Sequence, residues 1–280
     1  MLRTILVTLI GPVLWGTTYI VFTQTLPVGH PLFVGAMRAL PAGLILLSLN
    51  PRLPTRAALA RHAAVGATNI TIFFAMLFVA AARMPGGLAA TLGAVQPLIV
   101  ILLSGWLIRT APKPLQLLAA FAGIAGVGLL VLSPGDRPDT LGVLAALFGA
   151  CSMAIGTVLI DRWGRAGSPL EMTTWQLILG GAMLLPVALL VEGVPPAPDL
   201  RAVAGYAWLI LLGTALAYFV WTRGISKLGP SAAYLALASP VVATIIGAVA
   251  LGEVFSVWQW IGIALVLGAT AVGVSVRRRA

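Results

Sequence analysis

Apolar residues run through this chain in blocks of about twenty, separated by short clusters of proline, glycine and charge. A block of that length spans a hydrocarbon core of about 30 Å as an α-helix. Ten such blocks occur, at residues 4–25, 31–49, 63–82, 86–108, 114–133, 140–160, 169–190, 202–222, 230–252 and 257–276. The breaks between them carry turn chemistry: LPVGHP, NPRLPTR, RMPGG, RTAPKP, SPGDRPD, RAGSP, VEGVPPAPD, SKLGP and GEVFS. The pattern predicts an all-α polytopic membrane protein of ten transmembrane helices. Loops this short leave no room for a separate soluble domain.

Composition agrees, with 60% hydrophobic and 9% charged residues among 280 and a mean hydropathy of +1.06. A net charge of +10 would suit a nucleic-acid partner, but its placement reads as topology. With the N-terminus inside, 13 of the 17 Lys and Arg fall on the inner side, 3 on the outer, and Arg38 within a span. Cytoplasmic loops carry such an excess, so both termini are expected in the cytoplasm and no nucleic acid is expected. Cys151 stands alone inside an apolar block, which excludes an intrachain disulfide and reads as a small buried residue. The start of the chain imitates a signal peptide, with Arg3 before an apolar run. No A-x-A site closes the run, so it is read as the first helix.

Sliding the chain on itself by 143 positions sets Thr71 on Thr214, Gly86 on Gly229, Leu92 on Leu235, Pro97 on Pro240 and Gln116 on Gln259. An offset of 138 sets Pro31-Leu32 on Pro169-Leu170. The chain therefore reads as five helices repeated, residues 1–135 and 136–280. Five is odd, so the second copy enters the membrane upside down. Inverted repeats around a midplane site are a transporter architecture.

These features resemble a family. LWGTTYI in helix 1, and ASPVVATIIGAVALGE followed by WQWIGIALVLGATAVGV, are similar to the EamA-type branch of the drug/metabolite transporter superfamily. Within that branch the chain looks most like the bacterial aromatic amino acid exporters. The resemblance implies a ten-helix basket around a central cavity, in a bacterial inner membrane, moving solutes outward. Gly252-Glu253 matches the family's ending of helix 9, whereas the first half departs from it with Arg109-Thr110.

Pro97 and Pro240 fall about 15–17 Å into helices 4 and 9 at 1.5 Å per residue. A mid-helix proline frees the carbonyl four residues earlier, here Gly93 and Ala236, which must then face protein or water. With Gln96 and Ser239 before them, the two prolines are expected to line a central pathway or to make packing kinks. Arg38 lies seven residues into helix 2. A charge there costs about 2.5–3.5 kcal/mol on insertion scales. It calls for water, carbonyls or a substrate carboxylate, or for snorkelling to the outer interface. Trp15 and Tyr19 on helix 1, Phe74 and Phe78 on helix 3, and Trp175, Tyr218 and Tyr234 on helices 7, 8 and 9 either line the pathway or pack the core. Trp106, Trp208, Trp258 and Trp260 near span ends read as interface belt. Ala119/Gly123, Ala122/Gly126, Ala264/Gly268 and Ala269/Gly273 permit close packing, within the bundle or in a dimer; monomer and dimer both stay open.

H-E-x-x-H and G-x-S-x-G are absent, so an enzyme is not expected, nor a metal or cofactor. The acids fall at span rims, and His30 and His62 in or beside loops. Without a buried carboxylate or histidine relay, gradient-driven export is the simpler expectation, with Glu253 the best coupling candidate otherwise. The expected function is export of small amphipathic metabolites, aromatic or apolar amino acids, by alternating access, with Gly86-Gly87 and Gly229-Pro230 as hinges. Nucleotide sugars or drug-like cations, moved with protons, are the alternative. The charge count sets a first test: reporters fused to either terminus should be active only in the cytoplasm, and a periplasmic signal at one end would break the ten-span count.

Overall fold

A computed structural model describes residues 1–27, 29–49, 51–81, 83, 92–93, 95–107, 113–131, 139–163, 168–251 and 256–275. They form ten helices and no strand. These are α1 (Leu2–Thr25), α2 (Pro31–Leu49), α3 (56–81), α4 (Gln96–Leu107), α5 (Pro114–Val131), α6 (Thr140–Trp163), α7 (Pro169–Glu192), α8 (Leu200–Leu228), α9 (229–251) and α10 (Val257–Ser275). Five of them, α1, α2, α6, α7 and α8, are by themselves long and apolar enough to cross a membrane. Large apolar side chains stud the outside, with Leu190 87% and Val249 82% exposed. Such a surface suits a lipid solvent.

The helix starts follow from single side chains. Thr55 Oγ1 accepts from Ala58 N at 3.3 Å to open α3. Asp139 and Asp199 accept from Gly142 N and Ala202 N, each at 2.7 Å, to open α6 and α8. Each cap satisfies a backbone donor that the helix itself cannot. The start of α2 is capped from far away. Leu32 N and Phe33 N donate to the two carboxylate oxygens of Glu192, at 2.8 and 2.9 Å. The last residue of α7 thus pins the first turn of α2, where the helix dipole favours an anion.

The structure refines two expectations about proline. Pro97 is the second residue of α4, after a turn at Val95, and Leu92 and Gly93 upstream are helical too. Pro240 is the third residue of the α-helical part of α9, Ala238–Leu251, and sits just after the point where a 3₁₀ stretch, Gly229–Leu237, passes into it. Each proline thus lies where the helical geometry changes. Among the described residues, Pro12, Pro41 and Pro186 also lie inside helices. The proposed hinge at Gly86-Gly87, the pair Gly252-Glu253 and Arg109-Thr110 lie outside the described residues.

Packing recurs in pairs. α1 lies on α8 and α9, as α6 lies on α3 and α4; α2 lies along α7, and α5 along α10. Glycines set the closest approaches. A Cβ on Gly43 of α2 would lie 2.8 Å from Ile178 N, and one on Gly181 of α7 2.7 Å from Leu40 N. On α5, a Cβ at Gly126 would meet Gly262 O at 2.9 Å and Val266 N at 3.0 Å of α10. That small-residue face is therefore used inside the bundle, whereas Gly268 has nothing within 4 Å. Gly126→Ala should push α5 off α10 and lower thermal stability in detergent, with a penalty of about 1–3 kcal/mol typical of overpacking. Gly268→Ala should leave the melting temperature unchanged or raise it slightly.

Candidate functional site

A charge lies deep in the bundle. Arg38 is 3% exposed. Its Nε donates to Thr214 Oγ1 at 2.9 Å and its Nη2 to Gly213 O at 3.0 Å. Its guanidinium carbon stands 5.0 Å from the centroid of the Phe74 ring, within cation–π range. Snorkelling to an interface is thereby corrected: the side chain is held inside by a carbonyl, a hydroxyl and a ring. Among the described residues these contacts engage two of the five N–H donors, so the cation keeps capacity for an anion.

The partner carbonyl comes from a distorted helix. α8 widens into a π-helical turn at Leu211–Leu216, where Ala217 N reaches back to Leu212 O. α3 does the same at Ala67–Ile72. Such turns loosen the ladder of backbone bonds and are frequent at functional sites. Thr71 and Thr214, matched by the 143-residue offset, each sit in one of these turns. Thr214 serves Arg38, and Thr71 Oγ1 donates to Gly180 O of α7 at 2.9 Å.

Aromatic rings surround the cation. Trp15 of α1 meets Tyr218 edge-on at 5.1 Å and Trp221 at 5.2 Å, and Tyr218 meets Phe74 at 6.5 Å. Tyr218, Phe74 and Trp221 are fully buried. Trp15 Nε1, Trp221 Nε1 and Thr18 Oγ1 are buried without a hydrogen-bond partner among the described residues. Three of the sequence candidates, Trp15, Phe74 and Tyr218, thus gather around a fourth, Arg38. Trp221 and Thr18 are additions with no linear signal beyond their residue type.

The remaining candidates divide. Trp175 does not join this cluster: its Nε1 donates to Arg52 O, on the loop before α3, at 3.2 Å. Tyr234 is buried, but its hydroxyl donates to Gln116 O of α5 and its ring lies over Gly273 of α10, a packing role. Gln96 Nε2 donates to Thr157 Oγ1 of α6 at 3.4 Å, with Pro97 buried beside it. Ser239 and Pro240 are half-buried, and a Cβ on Gly16 would lie 2.8 Å from Ser239 O, so this end of α9 lies directly on α1. The side chains of Tyr19, Phe78 and Trp106, and all of Glu253, lie outside the described residues.

Two polar groups escape a linear reading. Asn69, in the π turn of α3, is fully buried; its Nδ2 donates to Gln176 Oε1 of α7, and Gln176 Nε2 to Thr222 Oγ1 of α8, both at 3.3 Å. His62, read above as in or beside a loop, is in α3 just ahead of the span and 4% exposed. Its Nε2 lies 3.4 Å from Glu171 Oε1 and its Nδ1 3.3 Å from Met172 Sδ. Burial pushes the imidazole below the usual histidine range and outweighs the opposing pull of Glu171.

Comparison with known proteins places this bundle. The sequence pattern of the EamA-like transporter family matches residues 2–132 and again 140–274. Protein PecM of Dickeya dadantii is 42% identical over 265 residues, covering 94% of this chain and 89% of PecM. The inner membrane transporter YedA of Escherichia coli is 26% identical over 272 residues, covering 93% and 87%. A crystal structure of a protein 20% identical to this chain superposes with a TM-score of 0.83 over 99% of this chain and 98% of that one, and so shares the fold. Two matches spanning nearly the whole length settle the assignment: the chain belongs to the EamA-like transporter family, within the drug/metabolite transporter superfamily.

Proposed function

We propose that this transporter exports small amphipathic carboxylates, aromatic or apolar amino acids foremost, across a bacterial inner membrane. Arg38 carries the proposal. It is a buried cation with spare donors, over Phe74, from which Tyr218 and Trp15 carry the aromatic contact onward. A carboxylate meets the guanidinium through charge-assisted hydrogen bonds, and a flat apolar side chain meets the rings. A drug-like cation would be repelled by the same charge. Relatives named as inner membrane transporters support the location.

The transport cycle follows as alternating access between two inverted repeats, 1–135 and 136–280. The double family match and the paired helix contacts support it. Movement down the solute's own gradient is the simplest coupling, with the buried His62–Glu171 pair the alternative proton site.

Efflux from proteoliposomes loaded with the twenty amino acids tests this directly. Phenylalanine, tyrosine and tryptophan should leave selectively, at a rate indifferent to a pH gradient. Arg38→Gln should slow that efflux at least tenfold, while Arg83→Gln, at an exposed pair with Asp139, should not. Wild-type rates in Arg38→Gln, or no amino-acid flux at all, would sink the substrate assignment. Flux that follows the proton gradient would replace facilitated export with coupling through His62 and Glu171.

A further inference from the structure

The offset of 138 that sets Pro31 on Pro169 also sets Arg38 on Gln176. The offset of 143 sets the π turn of α3 on that of α8 to within one residue. Each of these two side chains reaches a π turn in the opposite half of the chain: Arg38 reaches Gly213 and Thr214, and Gln176 reaches Asn69. The bundle therefore holds two related polar positions, one cationic and one neutral.

Their separation follows from the α2–α7 contact. Leu40 lies against Gly181 and Gly43 against Ile178, so the two helices run antiparallel. Arg38 is then level with Met183, seven residues along α7 from Gln176, or about 10 Å. On α8, Tyr218 and Trp221 lie between Thr214 and Thr222, and Trp15 packs on both rings. Phe74 follows Asn69 by five residues on α3, and Trp221 adjoins Thr222 on α8.

The neutral position has an open valence. Asn69 Oδ1 is fully buried and has no hydrogen-bond partner among the described residues. That oxygen lies against α6, where only the absence of a side chain at Gly156 leaves it room. Leaving a buried carbonyl oxygen unpaired is costly. One of the amide's two N–H donors is spent on Gln176; its oxygen lacks a donor.

We propose that Asn69, held by Gln176 and Thr222, is a second recognition point that accepts a hydrogen bond from an O–H or N–H at the far end of a flat carboxylate bound to Arg38. This deepens the function proposed above and rests on it. The ligand class is an aromatic carboxylate about 10 Å long at full span, polar at both ends and flat between, with the rings of α1, α3 and α8 along its length.

Tyrosine and phenylalanine differ only by the distal hydroxyl, and their affinities for the purified full-length chain in detergent provide the test. Wild type should bind tyrosine at least tenfold more tightly than phenylalanine. Asn69→Ala should abolish that preference and leave phenylalanine binding intact. Asn69→Asp, which keeps an acceptor oxygen in place, should restore it and guards against a folding defect in the alanine variant. Equal affinities in wild type, or a preference that survives Asn69→Ala, overturn the second point while leaving Arg38 as the carboxylate site. Failure of wild type to bind either amino acid overturns the substrate assignment and this inference with it.

Discussion

A guanidinium buried in a membrane bundle has to find its solvent inside the protein. Around Arg38 that solvent is the Gly213 carbonyl, the Thr214 hydroxyl and the Phe74 ring. In an ordinary α-helix each mid-helix carbonyl already accepts from a backbone donor four residues on. The π turn of α8 supplies what the cation needs. The distortion and the charge thus depend on each other, and together they fix α2 against α8.

The rest of the architecture holds this arrangement in register. Glu192 clamps the first turn of α2 from the end of α7, so the helix that bears Arg38 is tied to α7 along its length. Gly43 and Gly181 let the two backbones meet closely on either side of Pro41. On the other flank α5 and α10 close through Gly126, with Tyr234 wedged over Gly273. The glycine contacts among these are close and apolar. The polar bonds at the centre, by contrast, run at 2.9–3.4 Å between single side chains on α2, α3, α4, α6, α7 and α8. These polar bonds are few, while the frame around them is closely packed.

Much of this is legible in the sequence, for identifiable reasons. Apolar blocks set the helices, because a span needs a fixed length of hydrocarbon-compatible chain. Arg38 announces itself because a charge inside such a block is rare. Depth alone does not give direction, however. Trp175 and Tyr218 look alike in a linear pattern, yet one faces the loop before α3 and the other the cation. Pro97 and Pro240 look like kinks in a uniform helix, but Pro97 follows a turn at Val95 and Pro240 follows the passage from 3₁₀ to α-helix, changes of geometry that an apolar block does not reveal. His62 looks like loop because arginines surround it, but the Thr55 cap starts α3 six residues into that polar stretch. The π turns leave no linear trace, since no residue type requires them, and with them Asn69 and Gln176 stay hidden until the helices are assembled.

The central claim is that the substrate's carboxylate rests on Arg38. Calorimetric binding of phenylalanine against phenylalaninamide, which differs only in that its carboxylate is replaced by a neutral amide, addresses it most directly. The amide should bind at least tenfold more weakly to the wild-type chain, and the difference should vanish when Arg38 is replaced by glutamine. Equal binding of the two by the wild-type chain would contradict the account and return Arg38 to a purely structural role.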